Sequence, residues 1–349
     1  MANLHALIDP IELSQFVTDE ATEYEQSLDQ TLAGFIPPQQ INGIDYRYQT
    51  QPNNSYAIAK YRAYDAEPVP LARETLVNMM QGELPPMGVR SMLSENDQMT
   101  RLRIDGTEAD FVEAVFQDAA FHARSIMDRF ELQRGEAINT DQVAIAENGL
   151  NLDAIGFGRP AANTIVASVM WSDPNADILG DLTAWLRDYR TNNGGRSPAV
   201  MLMGEEVWFN MLRNNAIREI VLGAATVSAT SAPLSEDQLR TILGQYGIPP
   251  IVTFDRQVTL TDDDGSNPVE TRVLPDDALF FMPGEQVGSV LMGQPIIAAR
   301  GIGVTGSDAS GIVAATWHEP HTEKLWTKST AIGLTVLGRS ANIYRCQVL

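Results

Sequence analysis

The chain has 349 residues, 44% of them apolar, and at about 150 residues per domain this length predicts roughly two domains with sizeable cores. Its formal net charge of -21 argues against a surface that grips phosphate, because nucleic-acid binders concentrate Lys and Arg to displace counterions. A single cysteine excludes an internal disulfide framework and a four-thiolate zinc site, and the sequence contains neither a secretory signal pattern nor an apolar run long enough to span a membrane.

The basic residues are unusual in kind, since only Lys60, Lys324 and Lys328 are lysines and the other 21 are arginines. Arginine pairs carboxylates with two parallel hydrogen bonds, so an Arg-rich and acid-rich chain suits protein partners. A GC-rich genome that replaces Lys codons by Arg codons explains the same bias equally well.

The first 45 residues form the first predicted segment. Residues 1 to 46 contain no Lys or Arg but eight Asp and Glu, with scattered apolar residues between them. This pattern predicts an acidic N-terminal arm over 1–45, a short helix followed by extended chain that needs a partner to become ordered.

A long hairpin is predicted next, over residues 46–95. Residues 55 to 65 interleave Tyr and Ile with polar positions, which favours a strand. Pro68 and Pro70 then prevent ladder pairing, and a return segment follows from 71 to about 93. Such a hairpin has little core of its own. An ordinary intramolecular sheet is the alternative.

Residues 107–134 give the clearest helical pattern. Thr107 can cap its start, Gly135 is the expected stop, and at roughly 1.5 Å per residue it would be about 40 Å long. We expect its buried face to include Phe111, Val115, Phe116, Ile126 and Phe130, which recur at helical spacing.

The remaining chain predicts a hairpin, an α/β region and further strands. Asn148-Gly149 supplies the positive φ of a tight hairpin turn. Strands and helices alternate from 164 to 247, and Ser235 with Gln238 predicts a capping box for a helix over 236–246. Strands return after 251, and residues 330–339 and 342–349 are expected to form a final strand pair.

Several motifs that suggest chemistry are better explained as structure. Gly301 to Gly306 matches the dinucleotide fingerprint, but no helical pattern follows it. His318 to His321 has the wrong spacing for a helical zinc motif and contains a proline. Asp262 to Gly265 lacks the later ligands of an EF-hand, so a hairpin turn is expected at these residues. His122 and Cys346 are expected to be structural. No cofactor or metal is expected, although an enzyme that uses carboxylates remains open.

The order of these segments resembles the Hong Kong 97 type fold of tailed-phage capsid proteins, and more specifically the lambda-like major capsid protein E family. The strings that carry the resemblance are Glu147-Asn148-Gly149, Asp153, Phe157 to Pro160, Trp171 to Asp177, Leu84 to Gly88, and Ala278 to Gly284. Together they extend the resemblance over roughly residues 30 to 349.

The resemblance implies an α+β capsid fold with named domains. Residues 1–45 would be the arm, 46–95 the extended E-loop, 96–160 with 300–349 a peripheral domain that includes the spine helix 107–134, and 161–299 an axial α/β domain around capsomer axes. The E-loop residues expected to contact a neighbouring subunit are Tyr61, Arg62, Tyr64, Val69, Leu71, Leu76 and Met79.

The function implied is a structural major capsid subunit, without an active site, that self-assembles into the icosahedral shell of a virion after synthesis in the host cytoplasm. Its expected partners are further copies of itself in hexamers and pentamers, a scaffolding protein, the portal and possible decoration proteins. It would enclose double-stranded DNA without sequence-specific binding and would not bind membranes.

Two departures from relatives refine this expectation. No long extension precedes the arm, so a separate scaffold rather than a fused one is expected. Lys60 is the only hairpin lysine, and the lattice is expected to be non-covalent. The alternatives are an encapsulin-like nanocompartment shell and a cytosolic two-domain enzyme that uses carboxylates.

Overall fold

The computed structural model describes residues 8–50, 61–65, 67, 78–103, 108–223, 232–261, 266–295, 311–319 and 321–349. The chain divides into two compact units, each assembled from separate stretches of sequence. Unit 1 comprises Met1–Arg47, Gln81–Gly135 and Ser289–Val336, and unit 2 comprises Tyr48–Met80, Glu136–Gly288 and Leu337–Leu349.

Unit 1 is built around a five-stranded sheet. Its strands are β1 (Pro38–Gln40), β4 (Pro86–Leu93), β13 (Gly288–Gly293), β14 (Ile312–Glu319) and β15 (Lys324–Leu337). The long strand β15 pairs antiparallel with β14 and with β4 and also neighbours β13, along which β1 runs parallel. Along β15, buried and half-buried residues alternate from Lys324 to Thr330, because a strand sends successive side chains to opposite faces.

The acidic arm belongs to unit 1 and is ordered by its own chain. Helix α1 (Pro10–Ser27) begins at the N-cap Asp9 and packs against β14 through the stripe Leu13, Val17 and Ala21, whose side chains are buried. Ser14 Oγ donates a hydrogen bond to the Ala314 carbonyl at 3.1 Å. The expectation that the arm needs a partner to become ordered is therefore wrong, since its apolar residues recur every fourth position and match the sheet.

Two further helices follow β4, namely α2 (Glu95–Arg103) and α3 (Glu108–Thr140). The predicted stop of the long helix at Gly135 is wrong, because the helix continues to Thr140 and ends where Asp141 takes a φ of 59°. A glycine inside a helix costs only about 1 kcal/mol, and the burial of Ala137 and Ile138 just beyond it outweighs that cost. The predicted cap Thr107 lies outside the described residues.

Unit 2 is an α/β layer. Its mixed sheet has the order β7 (Thr164–Val166), β16 (Tyr344–Gln347), β12 (Ala278–Met282), β8 (Val200–Met203) and β9 (Ile251–Thr253). Its helices are α4 (Ile178–Asn192), α5 (Glu205–Arg213), α6 (Asn215–Leu222) and α7 (Glu236–Gln245). The core of this unit contains Trp171 stacked on Trp185, together with Phe281 and Tyr344. The predicted capping box at the start of α7 is confirmed.

The final strands do not form a pair, contrary to the sequence-based expectation. Strand β15 lies in the sheet of unit 1, whereas β16 pairs with β12 and β7 in unit 2. Between them, Ser340–Asn342 forms a 3-10 turn, as Ala161–Asn163 does before β7. The segments that contain β15 and β16 both show the apolar, alternating pattern of strands. This pattern therefore predicted the strands but not the strands with which they pair.

Within the described ranges, three two-stranded sheets accompany these two larger ones. Strands β5 (Gln142–Glu147) and β6 (Leu150–Gly156) join through Asn148 and Gly149, both with positive φ, as predicted. Strands β10 (Gln257–Leu260) and β11 (Val269–Arg272) pair antiparallel, and Asp262 to Gly265 between them lies outside the described residues. Strands β2 (Asp45–Thr50) and β3 (Asn78–Glu83) form the third sheet.

The two units divide the chain differently from the predicted domains. Residues 337–349 belong to unit 2 rather than with the long helix, because β16 pairs there. Residues 289–299 belong to unit 1, because β13 pairs with β1. The predicted arm and hairpin also contribute to these units instead of standing apart. The roles of the units in a shell remain predictions.

Candidate assembly surfaces

The loop between β2 and β3 carries the side chains predicted to contact a neighbour. Tyr61 and Tyr64 are fully exposed, and Met79 on β3 is exposed as well. The predicted strand over 55–65 is wrong in its described part, since residues 61–65 are coil and turn, with Asp65 at a φ of 64°. Arg62 is exposed beside Tyr61. Val69, Leu71 and Leu76 lie outside the described residues.

The base of this loop is fixed by aromatic packing. Tyr46 on β2 is buried, and a Cβ at Gly82 on β3 would lie 3.2 Å from its ring. Burial raises the pKa of the Tyr46 hydroxyl. Two residues further along β2, Tyr48 lies so close to Gly338 that a Cβ there would be 2.8 Å from the Tyr48 hydroxyl. The strands at the base of the loop are therefore held by packing, while the described loop residues 61–65 and 67, here called the loop tip, are exposed.

The long helix α3 supplies core rather than surface. Val115, Ile126 and Phe130 are buried, and Phe116 is half-buried in an edge-to-face contact with Phe16 of α1, their ring centroids 4.9 Å apart. The side chain of Phe111 lies outside the described residues. The helix thus holds the arm and the sheet of unit 1 in place.

A buried charge cluster ties the arm to this helix. Arg134 Nη1 donates to Glu131 Oε2 at 2.7 Å and lies 2.8 Å from Glu25 Oε1 of α1. Glu131 Oε1 in turn accepts a hydrogen bond from the backbone N–H of Leu32 at 2.6 Å. Arg134 and Glu131 are both buried, so the protein groups of this cluster replace the interactions that water would otherwise supply to the two charges.

Arg159 closes the end of α3. Its guanidinium donates to the carbonyls of Ile138 and Asn139, two groups that the helix end leaves without an intrahelical partner. Its backbone N–H donates to Asp141 Oδ2 at 2.6 Å. Burial lowers the pKa of Arg159 to about 10, against the opposing effect of Asp141. The string Phe157 to Pro160 that carries the resemblance therefore has a local structural role.

Unit 2 exposes apolar side chains at both edges of its sheet. On and just after β7 these are Val166, Val169 and Met170, and at β9 and the end of α7 they are Val252 and Tyr246. Since β7 and β9 are the two outermost strands of the sheet, the two patches lie at its opposite edges. The patches were not predicted from the sequence, because an exposed Val in a short strand looks the same in sequence as a buried one.

The surroundings of His122, His318 and Cys346 indicate structural roles for these side chains. His318 lies on β14, where its Nε2 is 2.8 Å from Glu323 Oε2. His122 is buried in α3, burial lowers its pKa, and its Nδ1 lies 3.4 Å from Ser329 Oγ of β15. Cys346 is buried on β16, and burial raises the pKa of its thiol.

Neither a metal site nor a membrane-spanning helix is found within the described ranges. No group of His, Cys, Asp and Glu among the described residues is arranged to hold a metal ion. The glycine motif 301–306 lies outside those ranges, and the next described element, β14, is a strand. Among the helices that the structure describes, none is long and apolar enough to cross a membrane.

Comparison with known proteins identifies the fold. No protein-family model matches the chain, and no curated protein matches it. Among solved structures, it is similar to a prophage protein of Escherichia coli CFT073 assigned as a capsid protein, with 14% identity, a TM-score of 0.57 and coverage of 95% of this chain and 99% of that one. It is also similar to a phage-related protein of Bordetella bronchiseptica RB50, with 11% identity, a TM-score of 0.53 and coverage of 95% and 96%.

Identities this low establish the fold alone. The α+β organisation described above is shared over nearly the whole length of both chains. The predicted Hong Kong 97 type capsid fold is confirmed.

Proposed function

We propose that this chain is a major capsid subunit, which assembles with copies of itself into the shell of a phage head. The observation that carries the proposal is the fold, shared over 95% of the chain with a prophage protein assigned as a capsid protein. A fold alone does not determine a function, so the proposal also needs surfaces suited to assembly. The exposed loop tip and the two apolar sheet edges of unit 2 are such surfaces.

The two edges of unit 2 suit a ring of subunits. A head-to-tail contact joins two different patches of the same protein, and it produces a closed ring when the rotation between neighbours allows closure. Val166 and Met170 at one edge and Val252 at the other are different patches at opposite ends of one sheet. We therefore assign unit 2 the axial role, around the centres of hexamers and pentamers.

The loop between β2 and β3 suits contact with the adjacent subunit. Contact with an apolar partner stabilises an exposed tyrosine because it removes the ring from water. Tyr61 and Tyr64 are both fully exposed in their own chain. Each interface of this kind contributes only a modest stabilisation. A closed lattice is stable because many such contributions add up. Unit 1, with the long helix, then takes the peripheral role.

The other partners follow from the same role. A shell of this kind requires a portal and would use a scaffolding protein, with decoration proteins as possible additions. The net charge of -21 means that packaged DNA would be enclosed without a strong phosphate-binding surface. The protein would reside in the virion.

The experiment that tests this function alters the exposed tip. Tyr64→Asp places a charge where a ring should be buried, so we expect folded subunits that no longer form shells. Tyr64→Phe keeps the ring and is the matched control, expected to assemble normally. Sedimentation and negative-stain electron microscopy measure assembly, and circular dichroism measures folding. Normal shells from Tyr64→Asp would remove the loop from the lattice.

A further inference from the structure

One face of the unit 1 sheet packs against a helix, and the opposite face carries charged side chains. On the packed face, Ser91 of β4 donates a hydrogen bond to Asp118 of α3 at 2.8 Å, and Ser329 of β15 is buried. Successive side chains of a strand point to opposite faces, so the adjacent residues Arg90 and Lys328 lie on the other face.

That other face combines cations with tryptophans. The register places Arg90 of β4 opposite Lys328 of β15. It also places Trp326 of β15 between Met92 of β4 and Trp317 of β14. These five residues are called the cation–tryptophan face.

The two cations of this face lack an acidic partner. Lys324 and Lys328, two of the chain's three lysines, both lie on this side of β15, but only Lys324 is opposite an acid, Glu319. Arg90 and Lys328 are opposite each other across an antiparallel pair, an arrangement that destabilises a sheet. Between described residues, no ion pair involves either side chain. An anionic group bound by both would remove their repulsion.

The tryptophans form a fixed platform beside these cations. Trp317 and Trp326 stack with their rings 10° from parallel and their centroids 6.1 Å apart. The Arg90 guanidinium lies 4.8 Å from the centre of the Trp326 ring, and Trp326 Nε1 donates to Glu319 Oε2 at 3.0 Å. Trp317 remains 39% exposed. A ligand with a flat apolar face can therefore stack on Trp317.

The spacing of the platform and the cations limits the size of such a ligand. Trp317 is the diagonal neighbour of Lys328 across the β14–β15 pair, and diagonal neighbours lie about 7–8 Å apart. One sugar ring with an acidic substituent spans that distance. The C–H groups on the face of a sugar ring are attracted to the electron-rich face of an aromatic ring. A ring that carries a carboxylate therefore matches both parts of the surface.

The charge of the whole chain favours a polysaccharide of acidic sugars over a nucleic acid. Nucleic-acid bases also stack on tryptophan, but a single strand carries about one phosphate charge per 3.4 Å. The net charge of -21 would repel so dense a polymer, and two cations offset little of that repulsion. A polysaccharide whose charges lie further apart meets less of it.

We propose that the cation–tryptophan face binds anionic polysaccharides, with a uronic acid ring stacked on Trp317 and its carboxylate held by Arg90 and Lys328. The site belongs to the single subunit and does not depend on the proposed function. In a shell, every copy would repeat the site, and a polymer that engages several weak sites at once is held far more tightly than one site allows.

Titration calorimetry of the full-length subunit with an oligomer of galacturonic acid tests the site. Binding is expected at low salt and should weaken as salt rises, because salt screens the attraction between the carboxylates and the two cations. The methyl ester of the same oligomer keeps the rings but loses the charges, so it should bind at least about tenfold more weakly. Absence of binding by the acid, or equal binding by the ester, would overturn the proposal.

Substitutions locate the binding on this face. Arg90→Gln with Lys328→Gln should weaken binding at least about tenfold, and so should Trp317→Ala. Trp317→Phe keeps a flat ring and should lose less. The matched control is Arg187→Gln with Arg213→Gln, both exposed on helices of unit 2, which changes the net charge equally and should leave the affinity within about twofold. Circular dichroism verifies that each variant is folded.

Two results from these variants would overturn the proposal. An affinity unchanged by Trp317→Ala would show that charge alone attracts the oligomer. Equal losses from the Arg90, Lys328 pair and from the control pair would show that only the net charge matters.

Two other anions test the class of ligand. A single-stranded oligonucleotide and a peptide of alternating aspartate and tyrosine, each with the same number of charges as the oligomer, should bind at least about tenfold more weakly than it does. Equal or tighter binding by either would assign the face to a nucleic acid or to an acidic protein segment, and the proposal would fail.

Discussion

Replacing Arg134 by methionine tests how the N-terminal arm is held. Methionine fills much of the space of the arginine but cannot neutralise Glu131 or Glu25, which lie 2.7 Å and 2.8 Å from Arg134 Nη1. Glu131 is buried and also accepts the Leu32 N–H, so it cannot turn towards water without leaving that donor without a partner. The variant therefore removes the guanidinium that neutralises this buried carboxylate.

The expected loss is large for a single substitution. Removing one partner of a buried ion pair costs about 3–5 kcal/mol. For a domain of about 150–250 residues, each kcal/mol lowers the melting temperature by about 2–4 °C, so a decrease of roughly 6–20 °C is expected. Differential scanning calorimetry of the unassembled subunit measures it.

Arg124→Met is the matched control. Arg124 lies on the same helix and joins the same arm, through Glu20 at 2.6 Å, but its side chain is 54% exposed. Exposed ion pairs contribute about 0.2–1 kcal/mol, so this variant should melt within about 4 °C of the unaltered chain. Equal melting temperatures for the two variants would refute the assignment of the buried cluster as the anchor of the arm.

Three further predictions concern packing, charge and the cysteine. Gly333→Ala should lower stability by about 1–3 kcal/mol in thermal melting, because its Cβ would lie 2.8 Å from the Phe130 ring, whereas Gly244→Ala in α7 meets nothing within 4 Å and should not lower it. Raising salt from about 0.01 M to about 0.1 M should increase assembly measured by light scattering, since screening shortens the reach of repulsion between subunits of net charge -21; a decrease would contradict this reasoning. Cys346 should react with a thiol reagent only after unfolding, because it is buried and burial raises its pKa; rapid labelling of the native chain would show that the strand opens.

Local sequence signals predicted the elements with short-range causes. Asn148-Gly149 specifies a turn and Ser235 with Gln238 a capping box, because each acts through neighbouring backbone groups. The long helix was recognised from its periodicity, but its end was misplaced, since the burial of Ile138 that extends it depends on residues distant in sequence.

Long-range pairing could not be read from the sequence. β15 and β16 follow each other and are both apolar, yet they join different sheets, because strand partners depend on the whole topology. The arm was expected to need a partner, although Leu13 and Val17 pack on β14, about 300 residues later in the chain, a separation that the hydrogen bond between Ser14 and Ala314 spans. The pairing of β4 with β15, which places Arg90 opposite Lys328, could not be predicted for the same reason.

The most direct measurement of the central claim is negative-stain electron microscopy of the unaltered chain, expressed alone and with the scaffolding protein expected from a neighbouring reading frame. The proposed function predicts closed shells or capsomer rings of uniform size in at least one of these conditions. A monodisperse dimer or tetramer in both, at every salt concentration that preserves the fold, would contradict it and favour an enzyme that uses carboxylates.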